Sequence, residues 1–210
     1  MKPLYVFDFD GTLVDSVANY TRATLRIFEE NGISYPPDIM TILTPLSFSQ
    51  TAEYFVQAGA KGTCEELAAR LGQSLMDEYA HHIYTKPFVR EALQKIKGEG
   101  NRLFILSASP HVAIEACMAN NGLTDLFEQV FSCDDFGLPK GNVNIYLQLA
   151  DRLGCKPRDI RFFDDNLLAL KAAEQAGFCI RGVFDDHSDY THAQMAAVSP
   201  DYISSFEELL

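Results

Sequence analysis

The sequence predicts an α/β fold, an open parallel sheet with helices on both faces and an all-helical segment inserted after the first strand. Three observations predict it. The run Leu4 to Phe7 in "LYVFDFDGTLVDS" is short, apolar and aromatic-rich, and it stops at an acid; such a run suits a strand buried on both faces better than a helix. For about seventy residues after it the periodicity is helical, without a strand. From Pro87 onward helix and strand patterns alternate, as they do where parallel strands are joined by helical crossovers. A chain of 210 residues has room for an α/β core of residues 1–14 and 88–210 with a helical domain of residues 15–87 inserted into it.

Each element has its own local reason. The first strand is Leu4 to Phe7. Helices are expected over Ser16 to Asn31, with Val17, Tyr20, Ile27 and Phe28 on one side, and over Ser49 to Ala58, which follows Ser47 and Gln50 and ends at Gly59. A third runs from Thr63 to Tyr84, where Thr63 and Glu66 form a capping-box pair and Leu67, Leu71, Leu75 and Tyr79 make the apolar stripe. Then come helix Val89 to Lys97, strand Arg102 to Ser107, helix His111 to Asn121 closed by Gly122, and strand Gln129 to Ser132. Helix Val143 to Leu153, strand Ile160 to Asp164, helix Leu167 to Ala176 stopped by Gly177, and strand Phe178 to Val183 complete the alternation. A short strand at Tyr202 and Ile203 leads into a terminal helix opened by Ser204 and Glu207.

Composition narrows the partners. Seventeen Lys and Arg against 29 Asp and Glu give a formal net charge of -12, and no basic stretch offers a nucleic-acid footprint. Nucleic acid and anionic membranes are therefore not expected. No apolar segment reaches spanning length and no signal-peptide pattern precedes the first strand, so a cytoplasmic protein is expected. The 5 cysteines form no CxxC pair, and they read as reduced thiols rather than a disulfide framework or a zinc site.

The polar residues converge at strand ends. In open parallel sheets ligands bind at the carboxyl ends of the strands, and here three apolar runs end in reactive side chains: Asp8, Ser107, and Asp164 with Asp165. Lys140, in "GLPKGN", lies just before a helix. If strand geometry persists through the bend at Gly11, Asp8 and Asp10 project to one side while Phe9 turns into the core. Close carboxylates repel unless a cation compensates them. With Asp165 they would form an oxygen-rich, sulfur-free site suited to Mg²⁺. One acid is then able to attack a phosphorus atom, with Lys140 and the Ser107 hydroxyl holding the transferring phosphoryl group.

The stretch "DFDGTLVDS" resembles the first motif of the haloacid dehalogenase superfamily, in its branch of phosphoglycolate-phosphatase-like and phosphomutase-like proteins. The hydroxyl ending "LFILS", the lysine of "DDFGLPKGN" and the acids of "FFDDNLLALKAAEQAG" follow in the family's order. The resemblance covers essentially the whole chain. It implies a Rossmann-like core with a small helical cap, and an Mg²⁺-dependent phosphatase acting on a small phosphorylated metabolite. It also implies roles: Asp8 as the nucleophile that forms an aspartyl-phosphate, Asp10 as general acid/base, and Ser107 and Lys140 as phosphate ligands. Asp165 would be the direct metal ligand, with Asp164 acting through water. Ala108 stands where the family often has Asn, leaving a backbone N–H as the phosphate donor there. Lys140 is followed by Gly141 instead of Pro, and Ala169 replaces a common acid.

A phosphosugar mutase would use the same Asp8 and Asp10 chemistry, and a non-enzymatic phosphoacceptor switch would use similar groups in another strand order. The dehalogenase branch lacks an acid at the position of Asp10, which disfavours its chemistry. The remaining polar features read as structural. Thr12 and Asp15 look like a capping pair, Asp134 and Asp135 a solvated or lysine-orienting loop pair, His81 and His82 a helix end, and His111 a first-turn residue. Thr44 to Ser47 falls where related caps present a specificity loop.

Overall fold

Strands whose residues are apolar on both faces need cover on both, and the chain supplies it by placing helices on either side of one parallel sheet. The computed structural model describes residues 2–43, 46, 48–187, 192–199 and 201–210. Its elements in chain order are β1 (Leu4–Phe7), α1 (Val17–Glu30), α2 (Ile39–Leu43), α3 (Phe48–Gln57), α4 (Cys64–His81) and α5 (Val89–Gly98). They continue with β2 (Arg102–Ser107), α6 (His111–Asn120), β3 (Gln129–Ser132), α7 (Val143–Leu153), β4 (Ile160–Asp164), α8 (Leu167–Gln175), β5 (Cys179–Gly182) and α9 (His192–Val198). The chain divides into two compact units, Met1–Asp15 with Tyr84–Leu210, and Ser16–Ile83.

In the first unit the five strands lie in the order β3-β2-β1-β4-β5, all parallel. β1 is central, and all four of its residues are buried. Phe7 pairs with Ile105 on one side and Phe163 on the other, which brings the ends of β1, β2 and β4 to one edge. On one face Val6, Phe104, Leu106 and Phe162 pack with Ile145, Tyr146 and Leu149 of α7 and Leu170 and Ala173 of α8. Elsewhere the Phe7 ring stacks on Phe163 with centroids 4.6 Å apart. Each such side chain, fully buried, contributes roughly 1.5–3 kcal/mol.

The second unit has its own core, built from Ile27 and Phe28 of α1, Phe55 of α3 and Leu67, Leu71 and Leu75 of α4. The expected capping box is present, with Thr63 and Glu66 bonded reciprocally. Glu78 of α4 is 1% exposed and would be costly alone. Asn19, Arg22 and Arg26 of α1 donate to its carboxylate at 2.8, 3.2 and 3.0 Å, so the buried charge ties the two helices together.

The structure departs from expectation where local signals compete with tertiary pairing. α4 stops at His81, short of Tyr84, because Tyr84 and Thr85 pair with the first unit: the Asp15 N–H donates to the Tyr84 carbonyl at 3.1 Å and Thr85 bridges Val14. Helices α2 and α9 were not expected, being 5 and 7 residues long and so too short to show periodicity. The expected strand at Tyr202 and Ile203 reduces to one bridge from Ile203 to Val183. The terminal helix is a 3-10 turn, Phe206–Leu209, capped by Ser205 and Glu208, one residue later than the expected Ser204 and Glu207. Of the expected specificity loop, Thr44, Pro45 and Ser47 lie outside the described residues, as does Ser47 as a helix start. Among the described residues no helix is long and apolar enough to cross a membrane.

Candidate active site

Parallel pairing fixes where the acids stand. The Asp8 N–H donates to the Phe163 carbonyl at 2.8 Å, extending the β1–β4 ladder by one bond and seating Asp8 beside Asp164. Asp8 is 3% exposed and Asp164 fully buried. Lys140 links them, its Nζ 2.7 Å from Asp8 Oδ1 and 2.9 Å from Asp164 Oδ2. Its own backbone is held, because the buried Tyr146 hydroxyl of α7 donates to the Lys140 carbonyl at 2.9 Å. The other Asp164 oxygen accepts the Asn166 N–H at 2.7 Å, and the Asn166 side chain caps α8 through the Leu168 and Ala169 N–H groups.

Asp165 is oriented by Thr12. The Thr12 hydroxyl donates to Asp165 Oδ1 at 2.8 Å and accepts the Asp165 N–H at 3.1 Å. This corrects the reading of Thr12 and Asp15 as a capping pair: Thr12 is fully buried and acts on the strand-end acid. Asp8, Asp164 and Asp165 each bring a carboxylate oxygen within 4.8 Å of the others. Three carboxylates against one ammonium leave an excess of two negative charges in a buried site, and every metal-facing donor is oxygen. The residues therefore fit a hard divalent cation.

The electrostatics carry the mark of that excess. Burial pushes the Asp8 carboxyl well above the ordinary carboxylate range, with Asp164 and Asp165 adding to the rise and Lys140 opposing it. Burial, then the charge of Asp164, pushes Asp165 up to about 6. Burial works against the Lys140 ammonium, but Asp164 and Asp8 outweigh it and hold its pKa well above the lysine range. A cation among the carboxylates would remove the penalty for ionising them.

Asp10 takes a different place. β1 ends at Phe7, and the chain turns at Gly11, whose φ is 76° and whose N–H donates to the Val14 carbonyl at 3.0 Å. The Asp10 carboxylate is not brought into the Asp8, Asp164 and Asp165 group. Its Oδ2 instead accepts from the hydroxyls of Ser109 at 2.6 Å and Ser107 at 3.4 Å. Ser107, 1% exposed, also accepts the Ser109 N–H at 3.0 Å. Ala108 is exposed on the same loop. Sequence reasoning took Thr12 for a capping residue and passed over Ser109, although "DGT" and "SASP" adjoin residues it had singled out.

The secondary candidates resolve into structure. His111, the first residue of α6, places Nε2 3.0 Å from both Asp135 oxygens. Asp135 also accepts the Ser132 N–H at 2.9 Å, so it closes a one-turn 3-10 segment and does not orient Lys140. His81 and His82 approach Asp77 at the end of α4.

Gly11 makes room for Asp165. A Cβ at Gly11 would sit 2.7 Å from Asp165 Oδ2 and 2.9 Å from its Cγ, on a backbone that L residues avoid. Gly11→Ala is expected to lower turnover by roughly 10²-fold, the scale of an ångström-sized misplacement at a reacting centre. Steady-state kinetics on an aryl phosphate, alongside a melting curve to confirm folding, measure it; unchanged turnover would mean that the Asp165 carboxylate does not need this position.

Comparison with known proteins places these residues in a family context. The family model for haloacid dehalogenase-like hydrolases matches residues 5–183. YhcW of Bacillus subtilis, assigned as a phosphatase, is 29% identical over 178 residues, covering 82% of this chain and 79% of that protein. A phosphoglycolate phosphatase of Aliivibrio fischeri is 27% identical over 188 residues, covering 83% of this chain and 80% of that protein. A crystal structure from Thermotoga maritima assigned to the beta-phosphoglucomutases superposes with a TM-score of 0.85 at 24% identity, covering 100% of this chain and 97% of that one. That last likeness shows the fold.

Proposed function

Because the chain belongs to the haloacid dehalogenase-like hydrolases, its strand-end acids have a reaction to serve, and we propose that it is an Mg²⁺-dependent phosphatase of a small phosphorylated metabolite, working in the cytoplasm through an aspartyl-phosphate. The phosphatases among its relatives support hydrolysis of phosphate esters. The observation that carries the reading is the buried Asp8 at the end of the central strand, seated against Lys140 in a group of three carboxylates.

In this reading an Asp8 oxygen attacks phosphorus, the ester P–O bond breaks, and Asp10 gives its proton to the leaving oxygen. A water then attacks the phosphorus and loses a proton to Asp10, the Asp8–phosphorus bond breaks, and inorganic phosphate leaves with Asp8 restored. Lys140, the Ser107 hydroxyl and the Ala108 N–H hold the phosphoryl oxygens through both steps. Asp8, Asp164 and Asp165 would hold the cation, which supplies the charge compensation that lets anionic nucleophile and substrate approach. The helical unit is the insert whose residues set substrate selectivity, as the family resemblance implies.

A screen of sugar phosphates, phosphoglycolate, nucleotides and phosphoamino acids, with Mg²⁺ and with excess chelator, tests the proposal. Release of inorganic phosphate is expected with Mg²⁺ and is expected to vanish on chelation and return when metal is added back. Full turnover in chelator would overturn it. Transfer of the phosphoryl group to a second hydroxyl of the same sugar, without phosphate release, would assign the mutase reaction instead, and a single stoichiometric phosphorylation would assign a phosphoacceptor switch.

A further inference from the structure

We propose that Ser109 is a positioning residue for Asp10: its hydroxyl, carried on a backbone that Ser107 and Ser132 hold, aims the Asp10 carboxyl at the leaving oxygen of the substrate. The proposal rests on the reading of Asp10 as the acid/base. Asp10 lies beyond the end of β1, in a turn, so the sheet does not set the direction of its side chain. The Asp10 carboxylate accepts the Ser109 hydroxyl on Oδ2 at 2.6 Å, a distance characteristic of a strong charge-assisted bond.

Ser109 is itself held at both ends of its backbone. Its N–H donates to Ser107 Oγ at 3.0 Å, and its carbonyl accepts from Ser132 Oγ at 3.0 Å. Both bracing serines are buried and stand opposite each other as paired residues of β2 and β3. Ser132 is anchored in turn, its N–H bonded to Asp135 and its Oγ accepting the Asp134 N–H. The Ser109 hydroxyl is thus carried on the sheet edge rather than on a loose loop, and such outer supports pre-organise the group they contact.

The test compares Ser109→Ala, Ser109→Thr and Asp10→Asn on an alkyl and an aryl phosphate, with saturating Mg²⁺ and melting curves for every variant. Loss of the Ser109 hydroxyl is expected to reduce kcat for the alkyl ester by roughly 10–100-fold, the scale of removing a supporting hydrogen bond. The aryl ester, whose leaving group needs little protonation, should lose far less in kcat for phosphoryl transfer to Asp8, measured by single turnover. KM should stay unchanged for both, and Ser109→Thr, which keeps the hydroxyl, should recover most of the alkyl activity. Equal losses on both esters, a rise in KM alone, or failure of the threonine variant to recover would overturn the proposal. If Asp10→Asn separates the two esters while Ser109→Ala does not, the positioning role falls and the acid/base reading stands; if Asp10→Asn itself separates nothing, that reading falls.

Discussion

Asp8→Asn is expected to abolish turnover without unfolding the protein. The amide has nearly the shape of the carboxylate but is a poor nucleophile, so the expected loss is on the order of 10⁴-fold or more, as for removal of a nucleophile elsewhere. Brief exposure to labelled substrate followed by acid quench should leave label on the parent and none on the variant. A labelled variant would move the nucleophile to another residue. Stability gives a second, independent readout. The Asp8 pKa is raised in the folded chain, so its protonated carboxyl contributes stability that is fully present below the unfolded pKa and is lost as pH rises through the folded value. In excess chelator above that range the parent carries the strain of three close carboxylates, and the variant carries one fewer. The variant should therefore melt no lower than the parent in chelator, and its stabilisation by added Mg²⁺ should be weaker. A large drop in melting temperature would show that the Lys140 ion pair outweighs the repulsion.

The second large effect is at Asp10, and leaving-group dependence distinguishes its chemistry from a scaffold role. Asp10→Asn should slow both half-reactions by roughly 10²–10⁴-fold where a proton is required. A nitrophenolate departs with little help from a proton, whereas a sugar alkoxide needs one. The first half-reaction should accordingly suffer far less with aryl than with alkyl phosphates. With the aryl substrate the variant should form its Asp8 phosphoenzyme fast and hydrolyse it slowly, giving a burst followed by a low steady rate. The position of Asp10 against Ser107 and Ser109, apart from the group of three carboxylates, supports this separation of roles. Equal loss on alkyl and aryl substrates, with no burst and with weaker Mg²⁺ binding, would make Asp10 a metal-site scaffold.

Much of the core was legible because its signals are local. The strands Arg102–Ser107, Gln129–Ser132 and Ile160–Asp164 have the limits that their apolar runs and flanking punctuation imply. Their reactive ends follow, since the rule that ligands gather at the carboxyl edge of a parallel sheet needs only the strand assignments. What was not legible depends on the third dimension. Thr12 reads as a helix-start residue in sequence, and only the β1–β4 register reveals that it faces Asp165, 153 residues away. Asp10 was expected to point with Asp8 because alternate residues of a strand share a side. The strand ends at Phe7, and the turn at Gly11 sends the second carboxylate to the serine loop instead. Short helices such as α2 carry too few residues for any period to show.

The order of the sheet also governs when this site comes into being. β1 is made first and is central, yet its partners are β2, beginning at Arg102, and β4, beginning at Ile160. A growing chain therefore exposes an apolar, aromatic strand long before either neighbour exists, while Ser16–Ile83 can assemble a core from its own helices. Closing loops of that length must precede the contacts that reward it, which makes the first unit slow to form and its amino-terminal strand prone to mispairing in the interval. The carboxylate group completes only when Asp164 and Asp165, in the last third of the chain, reach Asp8. If the group holds a divalent cation, as proposed, a refolding chain should regain helix content well before it regains affinity for that cation.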